Sequence, residues 1–112
     1  MAKTAKDLLI EQLNAGSLRE VPLGKVTVFV KALSVAEMNA IVEQEARIDA
    51  EKSDFADEKK FALRVLDKDG KPFFDLDNQG DLDLIRAMPF KLRRVVDEAF
   101  FAENFGAISK NG

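Results

Sequence analysis

Six aspartates, Asp67, Asp69, Asp75, Asp77, Asp81 and Asp83, fall within one short stretch of the chain. Carboxylates at alternating positions are what a hard cation such as calcium binds. The nearest match to a twelve-residue calcium loop begins at Asp75 and reads DLDNQGDLDLIR. It places acids at its first and third positions and Gly80 at its sixth. A bidentate Glu should close the loop, and Arg86 stands there instead. A start at Asp67 puts Pro72 where the glycine belongs. Aspartate is equally favoured at turns and helix caps, and that role accounts for the run without an ion. A basic cluster follows: Arg86, Lys91, Arg93 and Arg94. It could meet phosphates. However, Arg93–Asp97 and Arg94–Glu98 are spaced four apart, so internal pairing on one helix is the simpler expectation.

Covalent and acid–base chemistry has little to work with. The chain has no His and no Cys. The commonest general base, thiol nucleophiles and thiolate metal sites are therefore missing. Ser17, Ser34, Ser53 and Ser109 have no His partner and sit in no nucleophile motif, which leaves a bare Ser–Lys dyad as the one serine chemistry open. There is no phosphate-cradling glycine loop and no dinucleotide fingerprint. No catalytic, cofactor-binding or metal-ligating residue is assigned, and no cofactor is expected.

With 112 residues, 46% hydrophobic and 33% charged, the chain is sized for one domain with one modest core. A net charge of −3 speaks against general nucleic-acid binding and against an anionic membrane surface. The N-terminal MAKTAKDLLIEQL has Asp7 and Glu11 among its apolar residues, which is an amphipathic helix pattern rather than a signal peptide. No apolar run approaches the ~20 residues of a membrane span. A cytoplasmic protein is expected.

The elements that position these groups can be read in order. Thr4 caps a first helix, with Asp7 favouring its positive end, an apolar stripe of Leu8, Leu9 and Leu13, and Gly16 as its stop. Residues 18–23 lead through a turn near Pro22–Gly24 into KVTVFVK, a period-two strand. Val26, Val28 and Val30 should pack on the helices, leaving Phe29 on the opposite face in need of another cover, such as a second subunit. Ser34 and Glu37 form a capping box for a second helix. No Pro or Gly interrupts the chain from Ser34 to Asp69, and a break near Lys52–Asp54 is expected, with Ser53 or Asp54 capping the next helix. Phe61, Ala62, Val65 and Leu66 then supply its apolar face. Asp69-Gly70 marks a turn, KPFFDL is extended, and Asn78 through Asp81 cap a helix carrying Leu82, Ile85 and Met88. Pro89 separates this from a last helix with Leu92, Val95, Val96 and Ala99 on one face, closed by Gly106. The fold expected is α+β: an N-terminal helix, one β-hairpin, and three to four helices packed on it. Residues 1–105 form the domain and 106–112 a flexible tail.

All nine aromatic residues are Phe. On the last helix, a rotation of about 100° per residue sets Phe100 beside the core face. It sets Phe101 and Phe105 on the polar side with Arg94 and Glu98. A Phe pair on a polar face suggests a partner surface; a cover from the tail or the N-terminal helix is the other reading. Phe101, Phe105, Arg94 and Phe29 are the candidate partner-binding residues.

In order and motif shape the chain resembles the tail assembly chaperones of long-tailed bacteriophages. EVPLGKVTVFVKALSVAEMNAI resembles that family's hairpin and capped helix, VLDKDGKPFFDLDNQGDLDLI its acidic turn and following helix, and RRVVDEAFFAENF its closing helix. The resemblance spans residues 18–105. It implies a non-enzymatic protein that binds the tape measure protein, and possibly the tail tube protein, in the host cytoplasm, self-associates in some cases, and is absent from the mature virion. Some families extend the product by frameshifting, and Lys110-Asn111 would suit a slippery AAA-AAC sequence. The alternatives are a small calcium-binding domain using Asp75, Asp77, Asp81 and Asp83, or a nucleic-acid-binding regulator using the basic cluster.

Overall fold

A computed structural model describes residues 2–14 and 18–106. The elements run α1 (Ala5–Asn14), β1 (Leu18–Pro22), β2 (Thr27–Lys31), α2 (Val35–Glu51), α3 (Ala56–Ala62), α4 (Gln79–Ala87) and α5 (Phe90–Phe101). The last turn of α5 widens into a π-helical segment, Ala102–Gly106. This is the α+β arrangement expected. Gly106 belongs to that last turn rather than to a tail, and Gly16 and residues 107–112 lie outside the described residues.

β1 and β2 pair antiparallel, with Val21 opposite Val28 and Pro22 opposite Thr27. Leu23 donates its N–H to Val26 O at 2.7 Å, so Gly24 and Lys25 are the two turn residues. Gly24 has φ 84°, as the first position of a type II′ hairpin turn requires. Pro22 is thus the last residue of β1 rather than part of the turn. Val28 and Val30 are sealed in the core, but Val26, at the turn end, is 47% exposed, contrary to expectation. Val28 and Val30 thus face the core as expected, while Val26, beside the Gly24–Lys25 turn, lies outside it.

The largest departure concerns residues 63–73. α3 ends at Ala62, and Val65 and Leu66 are extended rather than helical. Leu66 and Phe29 exchange both backbone hydrogen bonds, at 2.8 and 2.9 Å. Leu66 also bridges Pro72, and Phe73 N–H donates to Val65 O. A second, shorter hairpin thus lies along the far edge of β2. It covers the backbone edge beside Phe29, whose ring is half-buried.

The helix signals hold at most ends. Ser34 and Glu37 form the capping box, with Glu37 N–H donating to Ser34 Oγ and Ser34 N–H to Glu37 Oε1. Lys52 ends α2 in the left-handed region, φ 53°. Ser53 Oγ accepts from Phe55 N–H, although Phe55 itself occupies the cap position of α3. Asn78 Oδ1 accepts from Asp81 N–H at the start of α4, and Pro89 precedes α5. The core joins Val21, Val28 and Val30 of the hairpin to Phe61, Val65, Phe74, Ile85, Val96 and Phe100. Met88 packs against it, whereas Val95, placed on the same face from sequence, is 38% exposed.

Among the described residues, no helix is long and apolar enough to cross a membrane.

Candidate partner-binding surface

α5 has two faces with different roles. Val96, Ala99 and Phe100 are buried against the hairpin side of the core. The opposite face carries Arg94, Glu98 and Phe101, continued by Phe105. Phe101 and Phe105 are 50% and 51% exposed. Their ring centroids lie 5.7 Å apart at 41°, within the range of favourable aromatic pairs. The rings therefore form one apolar patch, as the helical geometry anticipated. Phe100, by contrast, goes fully inside at 4% exposure.

Two devices hold the patch in place. Asn104 is the first. Its Nδ2 donates to Lys31 O and Phe100 O, at 3.0 and 2.9 Å, and its Oδ1 accepts from Leu33 N–H at 2.8 Å. This one side chain latches the end of α5 to the end of β2. Arg64 is the second. Its guanidinium lies 5.3 Å from the Phe100 ring centre and 5.8 Å from that of Phe101. It also pairs with Glu45 at 3.0 Å and Asp97 at 3.5 Å. Burial pushes the Asp97 carboxyl above its ordinary range, against the opposing pull of Arg64 and Arg93. Sequence reading identified neither residue as a positioning group. An Asn near a helix end and an Arg beside an apolar run are common, and only the fold brings their partners together.

Arg94 pairs with Glu98 at 2.9 Å, the helical pair expected, and both remain exposed. Arg93 does not pair with Asp97 as expected. Its guanidinium is 3.8 Å from Glu58 and lies over the Phe61 ring. Arg86 meets the same carboxylate at 3.4 Å, donates to Asp54 O and stacks on Phe55 at 3.8 Å. Glu58 is buried, so this knot ties α3, α4 and α5 together. The basic cluster is thus divided: Arg86 and Arg93 are both committed to Glu58, Arg94 pairs along its own helix, and Lys91 is exposed.

The aspartate run is used differently again. Asp67 Oδ1 accepts from the N–H groups of Lys71 and Asp69, the first of which does most to hold its carboxyl below the ordinary range. Asp75 Oδ1 accepts from Asp77 N–H, Asp81 Oδ2 from Asp75 N–H, and Asp83 Oδ1 from Gln79 Nε2. These oxygens shape turns and the start of α4. Among the described residues, no group of three or more acids is arranged to hold a metal ion. Ser34 and Ser53 likewise serve as backbone acceptors, and Ser17 and Ser109 lie outside the described residues.

No family model, no curated protein and no solved structure matches the chain.

Proposed function

We propose that this protein is a tail assembly chaperone of a long-tailed bacteriophage, a non-enzymatic protein that binds the tape measure protein and keeps it soluble until the tail tube forms. The observation that carries the reading is the exposed Phe101–Phe105 patch on a firmly anchored helix. An apolar patch rimmed by a charged pair suits an amphipathic helix of a partner, and tape measure proteins of such phages are long and helical. The ordered resemblance across residues 18–105 supplies the partner's identity. On this reading Phe101 and Phe105 bind the partner, Arg94 orients it by charge, and Phe29 serves self-contact at most. The tail tube protein is a second partner, the site of action is the host cytoplasm, and the mature virion lacks the protein.

Co-expression with the tape measure protein tests this. The long protein should stay in the soluble fraction and co-purify with the wild-type chain. Phe101→Asp should weaken that association while leaving far-UV circular dichroism intact. Unchanged association with a folded Phe101→Asp protein overturns the assignment of the site, and a tape measure protein indifferent to the wild-type chain overturns the function.

A further inference from the structure

The longest helix, α2, is held to the rest of the molecule in an unusual way. Its 17 residues span about 25 Å, yet Ile48, near its end, is its only buried residue. Met38, Ile41, Glu45 and Ile48 recur at helical spacing on its inner face, and the first three are only half-buried. Clefts run beneath its middle. One of about 240 Å³ parts Ala40 and Ile41 from Leu63, Leu66 and Phe100. Another of about 490 Å³ parts Glu45 and Asp49 from Arg93 and Asp97 of α5. Among the described residues, α3 alone of the helices and strands makes more than glancing contact with α2.

What fastens α2 is charge. Four of its five acidic residues pair with basic residues outside it. At its start Glu37 meets Lys31 of β2 at 2.5 Å. Near its end Asp49 and Glu51 meet Lys60 and Lys59 of α3, at 2.8 and 3.7 Å. In the middle Glu45 meets Arg64 at 3.0 Å. Short links, residues 32–34 and 52–55, tether the helix at both ends. Partly exposed ion pairs contribute little each, and a segment with few buried apolar contacts is the kind that opens before the rest of a fold. The body loses little when α2 leaves. Arg64 keeps Asp97 at 3.5 Å and its place over the Phe100 ring, and the three lysines are already partly exposed.

We infer that α2 is a strap fastened by charge, which opens as one unit while the hairpin and α5 stay folded. Opening uncovers Ile41 and Ile48 on the helix and Leu63 and Leu66 beneath it. The device stands apart from the Phe101 patch and is independent of the function proposed for that patch.

Native-state hydrogen exchange on the full chain, read amide by amide by NMR, tests this. Amides 39–48 of α2 should share one opening, at least about tenfold more populated than the opening that exposes residues 94–100 of α5. Raising sodium chloride from about 0.05 M to about 0.5 M should speed α2 exchange several-fold by screening its pairs, and leave α5 unchanged within about twofold. Glu45→Gln, which keeps the shape of the side chain, should speed α2 exchange with the same selectivity and blunt its response to salt. Protection of α2 equal to that of α5 overturns the strap. So does α2 exchange that is indifferent to salt or to Glu45→Gln, since the fastening is then not charge. Loosening of α2 and α5 in equal measure would show a single cooperative unit and overturn it as well.

Discussion

The first and last helices of this chain both expose apolar side chains, but only one has anything behind it. α5 buries Val96, Ala99 and Phe100 on its inner face and is latched at its end by Asn104, so its outward Phe101 and Phe105 are presented rigidly. α1 is capped by Thr4 and Asp7, which bond each other's backbone N–H groups, yet among the described residues no other element makes more than glancing contact with it. A patch held by a core is organised before binding and sheds little entropy when a partner arrives; a helix without support must be ordered by the partner itself. Exposed apolar area alone would rank the two ends alike. What stands behind each side chain separates them.

The contrast can be broken at the core. Ile85→Ala, at a fully buried position beside α5, should cost about 2–5 kcal/mol in denaturant unfolding. Leu9→Ala on α1, measured the same way at a concentration where the chain is monomeric, should move stability by less than ~0.5 kcal/mol. Comparable losses from the two would show that α1 is integral to the folded unit.

Asn104→Ala sharpens the point about the latch. It strips Leu33 N–H and the carbonyls of Lys31 and Phe100 of their partner, at a cost of about 1–3 kcal/mol. The amides of residues 101–106 should exchange faster while those at the middle of α5 change less. Uniform loosening along α5 would contradict a local latch.

A smaller effect separates the start of α2 from both ends. Lys31, 2.5 Å from Glu37, and then the Ser34 N–H hold the Glu37 carboxyl below its ordinary range. A lowered folded value means that the native state binds the proton less readily than the unfolded chain. The stability this adds is present above the ordinary Glu value of about 4.3 and lost as pH falls through the folded value. Half exposed to solvent, the group contributes a few tenths of a kcal/mol, about what a surface pair is worth. Glu37→Gln retains the capping-box geometry. Its deficit in melting temperature against wild type at pH 7 should shrink on acidification to pH 3. A deficit that stays constant with pH would remove the charge argument.

How much of this was legible in the sequence follows from the range of each interaction. The Ser34–Glu37 box, the Asn78 cap, the Pro89 start and the break at Lys52 depend on residues within a few positions, and all appear where their types suggest. Val65 and Leu66 were misread because Phe61, Ala62, Val65 and Leu66 satisfy helical spacing. A backbone pairing with Phe29, more than thirty residues away in sequence, decides the matter instead. Arg93 fails its expected partner for the same kind of reason: Glu58, from another helix, is buried beside it and needs charge compensation more than the half-exposed Asp97 does. At the site, the outward angles of Phe101 and Phe105 were readable from the helical repeat, whereas Asn104 and Arg64, which hold those rings in place, depend on contacts across the fold.

The most direct measurement is the affinity of the purified chain for the tape measure protein, wild type against the Phe101→Asp, Phe105→Asp double variant, with melting temperatures recorded alongside. The account predicts a loss of binding of at least tenfold, about 1.4 kcal/mol, with no change in melting temperature. Equal affinity in the two proteins, both folded, would contradict it.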